Sequence, residues 1–232
     1  MNKDLRDTLS NMGIIGYRSA EVFHFFLWLK GRKGDIIKKK ERTFAMRKRQ
    51  ENTMLYKTHY ESPLGDLLLT ADDKGLTGVW FDGQKYFAYG LAESEACEEQ
   101  ENSILTEAKR WLDIYFAGKE PDFDLPLNPT GTDFQKSVWS ILCTIPYGKT
   151  MTYGQIAAQI AAERGIARMS AQAVGGAVGH NPLSIIVPCH RVVGTNGSLT
   201  GYAGGIDRKI KLLTLEGINM SAFFVPKKGT AL

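Results

Sequence analysis

Cys189, His190 and Arg191 stand side by side in the run Ile-Ile-Val-Pro-Cys-His-Arg-Val-Val, residues 185–193. A free thiol has a pKa near ~8.5 and becomes a strong nucleophile only where a cation, a base or a helix terminus favours the thiolate. His190 and Arg191 could supply that environment. Neighbouring residues of a strand point to opposite faces, so a direct Cys189–His190 hydrogen bond requires a turn at Pro188 or a bridging water. A buried carboxylate that orients the imidazole would complete a Cys–His–acid relay. Glu216, at the end of a helix predicted over 205–216 and just before Gly217, is the candidate. The competing reading of any lone cysteine is a small buried apolar residue. Cys97, in an acidic stretch, and Cys143, on a helix end, take that reading, since neither has a histidine beside it. Three cysteines without C-x-x-C spacing argue against a disulfide framework or a zinc finger.

Around these residues the chain divides into regions of different character. Residues 1–53 carry the basic runs Lys38-Lys39-Lys40 and Arg47-Lys48-Arg49 and show no sustained period. They read as a poorly ordered extension with one short helix near 19–30, able to add weak, sequence-independent affinity for DNA or to do nothing. From Leu55 the pattern turns to short β-like runs, Leu55–Tyr60, Asp66–Ala71 and Leu76–Phe81, joined by Ser62-Pro-Leu-Gly and Asp72-Asp-Lys-Gly turns. This predicts an antiparallel meander. Ile104, Leu105, Ala108, Trp111, Leu112, Tyr115 and Phe116 then recur at helical spacing and stop at Gly118. Pro121 to Thr130 is extended and proline-rich, a linker between a domain over 54–127 and another over 128–220, with 221–232 as a tail.

The second region is helical. Thr132-Asp-Phe-Gln135 and Thr152-Tyr-Gly-Gln155 both fit the capping box, and each precedes an apolar stripe. Ser170 opens a third helix over 170–180, ended by Asn181-Pro182 and built almost wholly of small residues. Its glycines disfavour helix by up to ~1 kcal/mol each relative to alanine. Something must therefore approach its backbone closely, either DNA or another helix. The pair 152–163 and 170–180 is similar to a helix-turn-helix with a lengthened connection. Leu183 to Val187 reads as a buried strand leading to Cys189.

The net charge of +4 conceals a division. Residues 1–53 carry 13 Lys/Arg against 6 Asp/Glu, residues 54–127 carry 6 against 15, and residues 128–232 carry 10 against 4. An anionic partner meets either end but not the middle, although a positive region can also be a solvated face. The longest apolar stretch, Val22 to Leu29 around His24, falls far short of the ~20 residues that span a bilayer. With no secretory cleavage pattern, the expectation is a cytoplasmic protein without membrane contact.

Taken in order, Phe134-Gln-Lys-Ser-Val-Trp139, Ile145-Pro-Tyr-Gly-Lys-Thr-Met-Thr-Tyr153, Ala173-Val-Gly-Gly-Ala, Asn181-Pro, Pro188-Cys-His-Arg-Val and Gly201-Tyr-Ala-Gly-Gly205 resemble the methylated-DNA–protein-cysteine methyltransferases, the O6-alkylguanine-DNA alkyltransferases. The resemblance runs from about residue 54 to 220. It implies an α+β fold: a small N-terminal antiparallel-sheet, ribonuclease H-like domain, then a mainly helical, winged-helix-like DNA-binding domain. It further implies that Cys189 accepts the alkyl group irreversibly, once, from O6-alkylguanine in double-stranded DNA, with O4-alkylthymine a further substrate. His190 would be the general base through a water, and Glu216 would orient it. Asn181 would brace the turn presenting the thiol, and Tyr202 would contact the flipped guanine and assist its departure. Tyr153, Gln172, Ala173, Gly176 and Arg191 would bind DNA, with the 170–180 helix in the minor groove. Val192, Gly201, Ala203 and Gly204 would shape the base pocket. The protein would act as a monomer, with no cofactor and no metal.

One position departs from the family pattern. An arginine often fills the gap left by the flipped base, and here Gln172 stands in its place, with Arg168 nearby. Glutamine lacks arginine's charge and planar fork. Three other readings compete with alkyl transfer. An alkyltransferase-like lesion binder would lack the cysteine, a cysteine hydrolase would leave the neighbouring motifs without a role, and a regulator fusion would need more than residues 1–53 supply.

Overall fold

The computed structural model describes residues 54–89, 91 and 97–227, all within one compact unit spanning Thr53–Leu232. The basic extension over 1–53, with its short helix, and the last five residues of the predicted tail lie outside the described residues.

Strands β1 (Leu55–Ser62), β2 (Gly65–Ala71) and β3 (Leu76–Phe81) form the expected antiparallel meander, with Tyr60 opposite Leu67 and Leu69 opposite Val79. A two-residue strand, β4 (Cys97–Glu98), adds parallel to β1, giving the order β3-β2-β1-β4. The turns are built by their own side chains. Ser62 Oγ donates to Gly65 O, and Asp72 Oδ1 accepts from the amides of Lys74 and Gly75. Leu67, Leu69, Ala71, Val79 and Phe81 alternate onto one face, where they meet Leu105, Ala108, Leu112 and Tyr115 of α1 (Ser103–Phe116). Asn102 caps that helix through Leu105 N, and Gly118 at φ +75° ends it in the left-handed region.

The proline-rich segment is fastened rather than free. Leu76 N donates to Pro126 O at 2.7 Å, and Asn128 N donates back to Leu76 O at 2.8 Å, so the segment extends the β3 edge. Gly75 permits this approach, because a Cβ there would lie 2.7 Å from Pro126 O.

Both capping boxes form, at Thr132–Gln135 on α2 (Asp133–Cys143) and at Thr152–Gln155 on α3 (Tyr153–Glu163). Ser170 caps α4 (Ala171–Gly179), and α5 (Ile206–Leu215) closes the fold. A two-stranded parallel ribbon pairs β5 (Met151–Thr152) with β6 (Val192–Val193). Val138, Leu142, Ile156, Ile160, Val174 and Ala177 share one core with the sheet residues, and Trp139 Nε1 donates to Ala177 O at 2.9 Å. Burying each of the larger of these side chains contributes roughly 1.5–3 kcal/mol.

One expected element is absent. Leu183–Val187 is buried as the sequence implied, but it is a tight turn, not a strand. Leu183 alone bridges to Val79, Val187 N returns to Leu183 O at 2.9 Å, and Ile185 adopts φ +72°. A β-branched residue in the left-handed region costs on the order of 1–3 kcal/mol, and persists only where surrounding bonds over-determine it.

Candidate active site

Asn181 supplies those bonds. Its Oδ1 accepts from Leu183 N at 3.0 Å, and its Nδ2 donates to Val187 O at 2.8 Å. The same Nδ2 reaches Cys189 Sγ at 3.1 Å. One amide therefore closes the turn and holds the sulfur that the turn presents. Cys189 opens a short 3-10 helix, Cys189–Arg191, and is 4% exposed. Burial pushes its thiol above the ordinary range, while the Asn181 donor and then the Lys209 charge pull the other way. The resting thiol is thus protonated, yet its anion has partners waiting.

His190 is fully buried, with Nε2 2.6 Å from Glu216 Oε1. Three further groups converge on that carboxylate. Tyr115 Oη donates to Oε1 at 2.7 Å, Arg191 Nε to Oε2 at 2.9 Å, Arg191 Nη2 to Oε1 at 3.1 Å, and Gly148 N to Oε2 at 3.1 Å. Burial opposes ionisation of Glu216, but the bonds and charges of His190 and Arg191 outweigh it and hold the carboxyl down at about 2. Burial in turn lowers His190, against the opposing pull of Glu216, and Arg191 and Lys209 add to the lowering. The arrangement is an ionised Glu216 beside a neutral imidazole. An acceptor carboxylate places the ring proton on Nε2, so the Nδ1 lone pair is left as a base. Nδ1 has no hydrogen-bond partner among the described residues.

Tyr202 is buried with its ring 6.5 Å from that of His190, and its hydroxyl also lacks a partner among the described residues. Burial keeps it a protonated phenol, able to donate. Gly204 is required beneath it, since a Cβ there would lie 2.6 Å from the Tyr202 ring. Of the other residues expected to shape a base pocket, Val192 lies buried on β6 and Gly201 is buried at φ +58°. Ala203 O accepts from Lys85 N of the N-terminal half, and Gly204 O from Arg208 Nη1.

Tyr153, at the start of α3, turns its hydroxyl to Thr200 O and Gly201 O at 3.1 and 3.2 Å. On α4, Gln172 and Ala173 are exposed, and Arg168 just before it is exposed too. Gly176 faces open space: a Cβ there would meet nothing within 4 Å, and at Gly175 it would make only ordinary contact with Tyr153. Packing inside the protein therefore does not require these glycines.

Arg191 departs from expectation. It is 8% exposed, its Nη1 donates to Ile145 O at 2.6 Å, and its other donors engage Glu216. The guanidinium is turned inward to the carboxylate and away from solvent, where a phosphate would have to be met. Its work is to keep Glu216 charged. Lys209 was not singled out by the sequence. Its ammonium is buried and donates to Val192 O, Thr200 O and Gly201 O, at 2.5, 3.0 and 3.4 Å. Burial lowers it to about 8, against an opposing pull from Cys189. A lysine three residues before Leu212, on the apolar stripe of α5, was the available signal.

A sheet-and-helix half carrying Tyr115, joined to a helical half whose turn presents a buried thiol beside an imidazole–carboxylate pair and a glycine-surfaced helix, defines an alkyl-acceptor class of DNA-binding protein. Two family models match accordingly: "6-O-methylguanine DNA methyltransferase, ribonuclease-like domain" over residues 55–129, and "6-O-methylguanine DNA methyltransferase, DNA binding domain" over residues 133–218. The methylated-DNA–protein-cysteine methyltransferase of Methanosarcina acetivorans is 48% identical over 164 residues, 70% of this chain and 99% of that protein. That of Mycobacterium tuberculosis is 45% identical over 163 residues, 70% of this chain and 93% of that protein. Among solved structures, Mycobacterium tuberculosis OGT in complex with DNA shows 43% identity and a TM-score of 0.59, covering 69% of this chain and 92% of that one. The chain belongs to the methylated-DNA–protein-cysteine methyltransferase family.

No helix among the described residues is long and apolar enough to cross a membrane.

Proposed function

We propose that this protein repairs DNA by direct reversal, moving the alkyl group of O6-alkylguanine in duplex DNA onto Cys189, and that it does so once, as a cytoplasmic monomer. The observation that carries this reading is the single Asn181 amide, which joins the strained turn to a buried thiol next to a neutral His190 and an ionised Glu216.

A base inside the duplex cannot reach a buried sulfur, so the nucleotide is flipped out. The face of α4 formed by exposed Gln172 and Ala173 and half-buried Gly176 admits the backbone closely, and Gln172 or Arg168 occupies the space the base leaves. The guanine enters between Tyr202, Val192 and the Gly201–Gly204 segment, and Tyr153 turns its hydroxyl from Thr200 O and Gly201 O to the adjacent phosphate. His190 Nδ1 takes the thiol proton through a water. Sγ then attacks the alkyl carbon, forming the S–C bond as the C–O6 bond breaks with its electron pair on O6. Tyr202 donates a hydrogen bond to the departing base, and a proton equal to the one lost by the thiol restores neutral guanine. The product thioether is not cleaved by water, so the protein is consumed. O4-alkylthymine presents the same carbon–oxygen bond and is a further substrate.

The test is stoichiometry. Duplex carrying radiolabelled O6-methylguanine in large excess should transfer close to one label per protein molecule and then stop. Continued turnover, or release of labelled methanol, contradicts the reading.

A further inference from the structure

Tyr115 lies on α1, in the N-terminal half, yet its hydroxyl sits inside the Glu216–His190 pair, 101 positions before Glu216 in the chain. It is fully buried and donates to Glu216 Oε1 at 2.7 Å, the same oxygen that faces His190 Nε2 at 2.6 Å. Its own distance to His190 Nε2 is 3.3 Å. The ring is held on three sides: stacked on Trp111 at 5.5 Å and 9°, edge-on to Tyr147 at 6.1 Å and edge-on to His190 at 6.3 Å. Packing alone would be served by phenylalanine, as Phe81 serves on β3. The hydroxyl is there to donate.

We propose that Tyr115 is a positioning residue for alkyl transfer, through which the ribonuclease-like half fixes the Glu216 carboxylate and with it the tautomer and neutrality of His190. This rests on the function proposed above and deepens it. The N-terminal half is thereby a working part of the reactive centre, reaching Glu216 itself through the Tyr115 hydroxyl.

The groups facing the pair come from every packed element: Tyr115 from α1, Tyr147 and Gly148 from the loop after α2, Arg191 and Cys189 from the 3-10 turn, Tyr202 from the loop before α5, and Lys209 from α5. Glu216 is shared between donors. Each donor that draws on its charge leaves less for His190, and a less stabilised imidazolium is a more neutral base. Burial keeps the Tyr115 phenol protonated, far above its ordinary range, so it acts as donor throughout.

The experiment compares the pH dependence of alkylation by free O6-benzylguanine, without DNA, in the unchanged protein and in Tyr115→Phe. With the hydroxyl gone, Glu216 favours His190 protonation more strongly. The acid limb of the rate should then move upward by about one unit, a roughly ten-fold loss of rate on that limb. Leu112→Ala, a packing loss one turn earlier on the same helix, should lower the melting temperature and leave the acid limb in place. An unshifted limb in a folded Tyr115→Phe overturns the proposal. Failure of the unchanged protein to react overturns the parent function instead. Should Tyr115→Phe not fold, a ring-fluorinated tyrosine at position 115, a stronger donor of nearly the same shape, decides: an acid limb moved downward supports the proposal, and an unmoved limb overturns it.

Discussion

Asn181 Nδ2 and Cys189 Sγ lie 3.1 Å apart, and the same nitrogen holds Val187 O at 2.8 Å. The thiol is therefore not simply buried; it is tethered to the strained turn that presents it. Asn181→Leu keeps the volume and removes every bond. It should destabilise the protein by about 1–3 kcal/mol, through buried groups left without partners. The rate with free O6-benzylguanine should fall at least as much as the rate with duplex. Stopped-flow or quench measurements on both substrates check this, and an unchanged rate in a folded variant refutes the tether.

Glu216→Gln tests the charge arrangement through stability. The carboxyl sits at about 2 instead of its ordinary 4.5. A depressed acid contributes stability that is complete above the unfolded pKa and is lost as pH falls through the folded one. Here the window runs from about 4.5 down to about 2. At pH 7 the variant should be less stable by roughly 3 kcal/mol, since Arg191 is left buried without its counter-ion. That gap should shrink as pH falls through the window. Urea unfolding at a series of pH values gives the answer, and a gap that widens toward acid would be inconsistent with an ionised Glu216.

Lys209→Met removes a buried ammonium that ties three backbone carbonyls of the pocket together. Losing those charged hydrogen bonds costs about 1–3 kcal/mol, with Tyr153 Oη still donating to Thr200 O and Gly201 O. Because the lost cation also faces Cys189, the rate of alkylation should drop by about ten-fold or more, equally for free base and duplex. A defect confined to duplex would place Lys209 in DNA binding instead.

On α4 the opposite split is expected. Gln172→Ala should slow repair of duplex while leaving free O6-benzylguanine nearly untouched, because Gln172 is exposed and touches no part of the thiol's network. Gly176→Leu should do the same more severely. A Cβ there meets nothing within 4 Å in the protein, but the added side chain would meet an incoming backbone. Gel-shift affinity and both rates separate the two effects, and equal losses on both substrates would contradict the assignment.

Much of this architecture was legible in local patterns. The three strands of the meander, the amphipathic stripe ending at Gly118 and both capping boxes are short-range rules, and each lies where its residues put it. The Leu183–Val187 turn was not legible. A run of apolar β-branched residues carries the same periodicity whether it is a buried strand or a buried coil, and the deciding bonds come from Asn181. At the site, Cys189, His190 and Glu216 could be named because two are adjacent and the third ends a helix. Arg191 was misplaced, because an arginine beside a cysteine looks the same whether it turns outward to phosphate or inward to Glu216. Lys209 and Tyr115 were hidden by the opposite habit: each lies in an apolar stripe, where a polar atom reads as incidental. Their partners are far away in the chain, and long-range polar contacts leave no local trace.

The most direct measurement is mass spectrometry of the protein after reaction with an O6-methylguanine oligonucleotide. The expected result is a gain of one methyl group on the peptide carrying Cys189, restoration of guanine in the DNA, and no such gain in Cys189→Ala. Restored guanine with an unmodified Cys189 peptide, or methyl on Cys143 in its place, would contradict it.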